Sequence, residues 1–350
     1  MKTIHFTIFL LFILTSCYRT EPVEPEQPFH INPPGVFVVN EGNFTFGNSS
    51  LTYFNTDNYS VIPDMFYFVN KAPLGDVANY MMIKNKNGYI VVNNSGVVYI
   101  IDVKTGLFKG KLSGLLSPRE IAFANNKMVI TDLAEPYLTV VDFNGQEKYS
   151  KVNLDGYTSE SIVTVGDKIY VSNWSAMYQE KKNNQVLVID ANQMKLIDSI
   201  RVTQEPNSMV VDKNMNIWVL CSGGYMHQET PALIKISSVS DSVTKVLLFD
   251  DNEHYPTELH INKTGDRLYY IDKDVFTLQI DDDSLPSEPL INSVDKTFYA
   301  LGIDPVNEKI FVSDALNYIK RGKVYIYTKN GEFVKVFGAG IVPGYFAFYN

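Results

Sequence analysis

A strand-and-turn pattern that returns at nearly constant spacing limits the folds open to this chain more than any other feature. Residues 88–106 contain two short apolar segments, each ending in polar residues, followed by a turn. The same order of segments returns at residues 127–145 and 168–190. Strand-like segments open each copy near Asp76, Pro118, Ser159, Pro206, Pro256 and Phe298. Those openings are about 42, 41, 47, 50 and 42 residues apart, which is the length of a four-stranded propeller blade.

The two ends of the chain supply one more blade. Residues 343–348 resemble an opening strand, and residues 36–40 and 51–54 resemble a second and a third strand. One blade completed by both termini closes the ring and removes the exposed sheet edges of an open array. The sequence therefore predicts an all-β fold over residues 35–350, a seven-bladed β-propeller whose last blade is closed by both termini.

The residues before the propeller have the pattern of a lipoprotein leader. Lys2 precedes an apolar run of about 11 residues, which is too short to span a bilayer, and the run ends in Leu14-Thr15-Ser16-Cys17. This end is similar to a bacterial lipobox, in which Cys17 is lipidated; an ordinary signal peptide with a coincidental Cys is the alternative. We predict a lipoprotein signal peptide over residues 1–16 and a lipid anchor with a flexible Pro/Glu-rich tether over residues 17–34.

Charge and motif content exclude several function classes. Lys and Arg total 30 against 39 Asp and Glu, so the net charge of −9 has the wrong sign for a nucleic-acid partner. Cys17 and Cys221 are too few for a disulfide framework or a zinc site, and Cys221 is expected to be a small buried strand residue. No hydrolase elbow, phosphate loop or spaced histidine pair occurs. We expect no catalytic residues, no resident metal and no required cofactor.

Propeller geometry predicts where a ligand would bind. The loops that join second to third strands, and each blade to the next, lie on one face around the axis. Amides, carboxylates and aromatic side chains on that face suit a large polar ligand better than a metal cage. The residues expected to bind it are Asn40, Asn93, Asp132, Asn173, Trp174, Tyr225, Tyr299 and Tyr345. The same face also collects Glu41, Arg119, Glu120, Glu160, Asn207 and Glu258.

Each of these assignments has a structural alternative. Asn and Asp at strand ends are also the residues that tight turns require. Trp174 and Tyr225 lie in long loops, residues 173–185 and 222–231, where binding residues are common. The alternative for Trp174 is packing between blades.

Three N-terminal motifs carry a family resemblance. FVVNEGNF at 37–44, GNSSLTY at 47–53 and PLGDV at 73–77 resemble the YncE-like propeller lipoproteins of gut Bacteroidetes, and within that group the chain is most similar to BtuG-type surface lipoproteins. The resemblance covers the whole chain. It implies a non-enzymatic, lipid-anchored protein of the outer-membrane surface that binds cobalamin, or a related corrinoid, and delivers it to a TonB-dependent transporter. Acidic residues after Cys17 resemble a surface-export signal, with a plain spacer as the alternative.

Two other function classes stay open. A metal-dependent propeller lactonase or hydrolase needs axial carboxylates and amides, for which Glu160, Asn173 and Asp272 are the candidates. A protein-binding propeller with no small ligand is the other.

Overall fold

The computed structural model describes residues 29–142 and 148–350. The predicted signal peptide, Cys17 and the tether up to residue 28 lie outside these residues, so the leader and its boundaries stay predictions. In the part of the chain that is described, no helix has the length and apolar character needed to cross a membrane.

The described strands form seven antiparallel sheets, the blades of the propeller, which confirms the predicted fold. Blade 1 contains β1 (Gly35–Asn40), β2 (Ser50–Asn55), β3 (Val61–Ile62) and the C-terminal β27 (Pro343–Tyr349). Blade 2 contains β4 (Ala78–Lys84), β5 (Asn87–Val92), β6 (Val97–Asp102) and β7 (Phe108–Ser113). Blade 3 contains β8 (Pro118–Ala124), β9 (Lys127–Asp132), β10 (Tyr137–Asp142) and β11 (Lys148–Asn153).

The second half of the ring continues in the same order. Blade 4 contains β12 (Ile162–Val165), β13 (Lys168–Asn173), β14 (Gln185–Asp190) and β15 (Lys195–Arg201). Blade 5 contains β16 (Pro206–Val211), β17 (Ile217–Cys221), β18 (Ala232–Ser237) and β19 (Ser242–Leu248). Blade 6 contains β20 (Thr257–Ile261), β21 (Arg267–Asp272) and β22 (Asp274–Gln279). Blade 7 contains β23 (Phe298–Ile303), β24 (Ile310–Asp314), β25 (Arg321–Tyr327) and β26 (Phe333–Ile341).

The second strand of each blade is buried on both sides because neighbouring blades cover both of its faces. In blade 5, β17 reads IWVLC and all five residues are buried, Cys221 among them. In the outer strand of the same blade, β19, Leu247 is the one buried residue of seven. The core therefore consists of apolar layers between successive blades, and near-continuous apolar runs mark the strands that these layers enclose.

Both termini close blade 1, as the sequence predicts. The inner strand β27 pairs antiparallel with β1, with Val38 opposite Phe346 and Val36 opposite Phe348. Val36 and Val38 are fully buried and Phe346 nearly so. The pairing of the two terminal strands therefore closes the ring.

Two features depart from the four-stranded pattern. Within the described residues, blade 6 has three strands and no fourth; an isolated bridge joins Val275 to Ile291. The intervening segment carries Asp281, Asp282, Asp283 and two prolines, which weaken strand pairing through charge and missing N–H donors. The short helix α1 (Met65–Asn70) leads from β3 to β4 and buries Met65 and Phe66.

The antiparallel order defines two faces. Turns from second to third strands and from blade to blade lie on what we call the upper face. Turns from first to second and from third to fourth strands lie on the lower face. The described N-terminal segment enters at the lower face, where the Ile31 N–H donates to the carbonyl of Lys104 in the β6–β7 turn.

Candidate functional site

Six of the seven inner strands carry an extra residue at their upper ends. In β4, Ala78 pairs with Val92 and Tyr80 pairs with Val91, so Asn79 has no partner in the ladder. The same register shift occurs in β8, β16, β20, β23 and at the β1–β27 pair. A bulge bends the strand and redirects side chains. Repeated around a ring, these bulges change the direction of the side chains at the upper end of the propeller axis.

The inner-strand ends enclose a cavity of about 650 Å³, here called the axial cup. All seven blades contribute to its lining, and a volume of this size is within the usual range of ligand pockets. Among the lining residues are Tyr345, Tyr80, Arg119, Ile162, Asn207, Glu258 and Tyr299, one from each blade in order around the ring.

One ion pair spans blades 3 and 4 in the wall of the cup. Arg119 Nε lies 2.8 Å from both carboxylate oxygens of Glu160, and Nη2 lies 2.7 Å from Oε1. The two side chains are 21% and 10% exposed. A forked geometry of this kind fixes both groups in position and neutralises the buried charge.

Glu120 is the neighbouring carboxyl group. Its Oε2 accepts hydrogen bonds from Ser161 Oγ at 3.1 Å and from the Ile162 N–H at 3.0 Å. Burial, with a further contribution from the charge of Glu160, raises the pKa of Glu120 to about 8. The group is therefore mostly protonated at neutral pH and offers the cup a carboxylic O–H donor.

Glu41 has a similar environment on the opposite side. The Tyr299 hydroxyl donates to Glu41 Oε1 at 2.9 Å. Burial raises the pKa of Glu41 to about 7, although Tyr299 and the charge of Arg119 oppose the shift. Gly344 leaves the space that this carboxylate needs, because a Cβ atom there would lie 2.4 Å from Glu41 Oε1.

Two acceptors complete the polar wall. Glu258 Oε2 accepts the Leu301 N–H at 3.1 Å and lies 3.4 Å from His260 Nε2. Asn79 donates through Nδ2 to the Arg119 carbonyl at 3.0 Å, while its buried Oδ1 has no hydrogen-bond partner within the described residues. Asn79 Oδ1 is buried from solvent, so a ligand in the cup can contact this oxygen only if the Asn79 side chain shifts.

Exposed apolar side chains lie in the upper-face loops, and two of them, Tyr255 and Tyr318, line the cup. These loop residues, here called the rim, are Phe44, Phe46, Leu116, Met177, Tyr178, Tyr225, Met226, Tyr255, Tyr318 and Ile319. Phe46, Met177 and Tyr225 are each more than 70% exposed. An apolar rim beside a polar cavity is a feature of interaction sites.

Four of the residues expected to bind a ligand have their side chains occupied inside the fold. Asn40 Nδ2 donates to Thr52 Oγ1, and Asn40 Oδ1 accepts the Gly340 N–H of blade 7. Asn93 Nδ2 donates to Ser117 Oγ. Asp132 accepts the Leu116 and Ser117 N–H groups, and Asn173 donates to the Thr158 carbonyl. These bonds hold loops and neighbouring blades together, and a ligand role for the four residues stays a prediction.

The structure brings three of the other four together. Trp174, Tyr299 and Tyr345 line the cup, and the Tyr345 ring packs against Tyr80 with centroids 4.6 Å apart. Trp174 is half-buried, and its carbonyl is held by Asn183 Nδ2 at 2.7 Å. Tyr225 lies on the rim, where its backbone N–H donates to Glu205 Oε1. All four assignments as ligand contacts stay predictions.

The sequence did not lead us to predict Asn79, Tyr80 or Tyr255 as residues of the site. A usable signal was present, because the opening strands of different blades carry their polar or aromatic residues at matching positions. The second residue of β4, β8, β16 and β23 is Asn79, Arg119, Asn207 and Tyr299 respectively. These are the positions at or beside the bulges, which direct them toward the cup.

The three residues considered as metal ligands of a hydrolase each contact a different residue of the fold. Glu160 pairs with Arg119, Asn173 bonds to Thr158, and Asp272 contacts His254 Nδ1. Among the described residues, three groups able to hold a metal ion approach one another at Asp250, Asp251 and His254, and the two carboxylates there are exposed to solvent. The cup carboxyls do not form such a cluster.

Fold and cup together define a seven-bladed β-propeller with a polar cavity on its axis. The chain belongs to the family described as Domain of unknown function (DUF5074), whose model matches residues 34–339. No curated protein matches the chain.

Solved structures share this fold at low sequence identity. One is a quinonprotein alcohol dehydrogenase-like protein from Bacteroides thetaiotaomicron, with 14% identity and a TM-score of 0.71, covering 91% of this chain and 78% of that one. Another is a functionally unknown protein from Desulfotomaculum acetoxidans, with 13% identity, a TM-score of 0.62 and coverage of 90% and 99%. A third is apo AztD from Citrobacter koseri, with 12% identity, a TM-score of 0.56 and coverage of 89% and 96%. These likenesses support the propeller fold alone.

Proposed function

We propose that this chain is a non-enzymatic binding propeller that holds a large, amide-bearing ligand over the axial cup, with cobalamin or a related corrinoid as that ligand. The observation that carries the proposal is a polar cup with both donors and acceptors on the face whose loops carry the exposed apolar rim. In this proposal the protein is lipid-anchored through Cys17 at the outer-membrane surface and delivers the ligand to a TonB-dependent transporter.

The electrostatics of the cup suit a ligand with neutral amides. Burial raises the pKa of Glu120 to about 8 and that of Glu41 to about 7, so at neutral pH Glu120 is mostly protonated and Glu41 partly protonated, and the protonated forms offer O–H donors. The Arg119–Glu160 pair is internally neutral. Glu258, which lines the cup and accepts the Leu301 N–H through Oε2, supplies an acceptor. Primary amides around a corrin ring both donate and accept hydrogen bonds, so many moderate contacts can replace one strong charge.

The dimensions of the site suit a ligand that extends beyond the cup. Cobalamin is far larger than a typical cofactor and would lie across the mouth of the 650 Å³ cavity rather than inside it. The aromatic side chains of Trp174, Tyr255 and Tyr318, which line the cup, offer apolar area for a corrin edge. Rim residues that the ligand leaves uncovered, such as Phe46 and Met177, are available to a transporter surface.

A binding experiment with a spectral readout tests the proposal. The chain of residues 18–350 is suitable because the propeller closes on itself. Mixed with cyanocobalamin and freed of excess ligand by gel filtration, it is expected to retain corrinoid absorbance at one equivalent. Metal analysis of the same sample addresses the hydrolase alternative. If the protein binds no corrinoid at micromolar ligand and contains stoichiometric calcium, the metal-dependent hydrolase would be favoured over the corrinoid-binding protein.

A further inference from the structure

The lower face of blade 2 carries an exposed surface of apolar and basic side chains. Leu107 and Phe108 follow the β6–β7 turn and are 53% and 47% exposed, and Phe68 of α1 is 51% exposed. Asn70 of α1 holds the two segments together: its Nδ2 donates to the Gly106 carbonyl at 2.9 Å and its Oδ1 accepts the Phe108 N–H at 2.8 Å. The apolar residues therefore lie on a connected surface.

Lysines surround these apolar side chains. Lys71 Nζ lies 5.1 Å from the centroid of the Phe68 ring, Lys104 lies in the β6–β7 turn, and Lys109 and Lys111 follow in β7. The four lysines are exposed, and none forms an ion pair with a carboxylate in residues 29–142 and 148–350. The four lysines therefore form a locally positive surface on a chain whose net charge is −9. We call these seven residues, Phe68, Lys71, Lys104, Leu107, Phe108, Lys109 and Lys111, the basic–apolar patch.

A crevice opens beside the patch between blades 2 and 3. Its volume is about 660 Å³, and Lys84, Lys109 and Lys111 line it together with Tyr89 and Phe123. Lys84 Nζ lies 4.0 Å from the centroid of the Phe123 ring. Ammonium groups held over aromatic rings at the mouth of a crevice are suited to a phosphate headgroup.

The chain enters the propeller at this patch. The Phe29 ring packs on Phe68 with centroids 5.3 Å apart, and the Ile31 N–H donates to Lys104. Predicted anchor Cys17 precedes Phe29 by twelve residues, which at 3.3–3.6 Å each reach at most about 40 Å. A membrane that holds the anchor is therefore within reach of the patch.

We propose that the basic–apolar patch contacts an anionic lipid surface. Lysines would meet the phosphates while Leu107, Phe108 and Phe68 insert at the headgroup level, as amphipathic surface elements do. The contact would add to lipidation, because one acyl anchor and a basic patch bind more stably than either alone. It would also orient the molecule: the axial cup, on the opposite face, would point away from the bilayer.

Vesicle binding by the unlipidated chain of residues 18–350 tests this directly. The chain is expected to cosediment with vesicles of phosphatidylcholine and phosphatidylglycerol at low salt, and much less with phosphatidylcholine alone. About 1 M salt should release it, because the screening length falls to about 3 Å. The assay contains no corrinoid, so its outcome is independent of the ligand proposed for the cup.

Charge reversal with a matched control separates the patch from general electrostatics. Lys104→Glu with Lys111→Glu is expected to weaken binding at least about 25-fold, since each lysine near an anionic surface contributes about fivefold. Lys182→Glu with Lys320→Glu changes the net charge equally; both lysines are exposed, and they lie in upper-face loops of blades 4 and 7, away from the patch. This control should lower binding less than about twofold. Unchanged melting temperatures would establish that both variants fold.

Three outcomes would overturn the proposal. They are failure of the parent chain to bind phosphatidylglycerol vesicles at low salt, equal loss of binding in both double variants, and a concentration-dependent dimer in gel filtration that the patch variant abolishes. The last result would identify a second copy of the chain as the occupant. Retention of phosphatidylglycerol binding by the control, with loss in the patch variant, would support the lipid surface.

Discussion

Arg119 and Glu160 face each other across the inner ends of blades 3 and 4, and Nε of Arg119 lies 2.8 Å from both carboxylate oxygens. Each residue comes from the upper end of a blade-opening segment. The pair therefore joins two blades at the axis as well as forming part of the cup wall. Its loss should affect both stability and the charge of the cavity.

Replacement of Arg119 tests how much this ion pair contributes to the stability of the fold. Arg119→Gln leaves Glu160 partly buried without its cation and is expected to lower the free energy of unfolding by about 3 kcal/mol, at the lower end of the range for broken buried pairs because the cup is open to solvent. Urea denaturation measures the change. The double variant Arg119→Met, Glu160→Leu should recover much of the loss, and a single variant as stable as the parent would contradict the assignment.

The protonated carboxyls of the cup predict a pH dependence of stability. Folding raises the pKa of Glu120 from 4.5 to about 8, so the folded state binds more protons than the unfolded state between these values. Stability should therefore fall by a few kcal/mol as pH rises from about 5 to 9, with Glu41 contributing in the same direction up to about pH 7. Melting temperatures across this range measure the slope.

A substitution isolates the contribution of Glu120 to that slope. Glu120→Gln removes the ionisation and keeps a side chain of similar shape, so its stability should decline less with pH than that of the parent. Glu332→Gln, at an exposed position in the β25–β26 turn, serves as the control and should keep the parent slope. Identical pH profiles for all three proteins would mean that Glu120 ionises as freely in the folded as in the unfolded chain.

Trp174 is the aromatic side chain that we expect to contribute most to corrinoid binding. Trp174→Ala should weaken binding by roughly 1–3 kcal/mol, as loss of an aromatic anchor does, and leave a folded protein. Absorbance titration after dialysis measures affinity, and a thermal melt measures folding. Phe333→Ala removes an exposed ring from the outer strand of blade 7, and Asp282→Ala changes a loop of blade 6; neither should alter affinity. Equal losses at Trp174 and Phe333 would contradict this placement.

Closure of the ring by the C-terminus predicts a severe truncation effect. Deletion of residues 341–350 removes β27, exposes the edge of β1 and uncovers Val36 and Val38. We expect loss of the cooperative unfolding transition, with aggregation detectable by light scattering. Deletion of Asn350 alone, which lies beyond β27 and is exposed, should leave the transition unchanged.

Lipidation of Cys17 predicts a change of fractionation. Cys17→Ala should convert a protein that stays with the membrane in high salt into one that high salt releases, because the acyl anchor is lost. Immunoblotting of membrane and supernatant fractions follows the change. A variant that remains wholly in the membrane after the salt wash would count against the lipobox interpretation.

The sequence by itself determined the architecture. Blades, their number and the shared terminal blade follow from local features: buried strands read as apolar runs such as IWVLC at 217–221, and polar turns separate them at a fixed spacing. The terminal blade was predictable because residues 343–348 match the opening strand at 118–123. Such patterns depend on strand period and turn chemistry, which neighbouring residues decide.

Only the tertiary structure decided which polar residues meet at the axis. Asn40 and Asn173 end second strands, one strand away from the axis, and the structure satisfies their amides within the fold. Asn79, Arg119 and Asn207 begin inner strands, and register shifts there bring their side chains to the cup. A bulge is a property of two paired strands rather than of one. The raised pKa of Glu120 likewise depends on burial and on Glu160, 40 residues further along the chain.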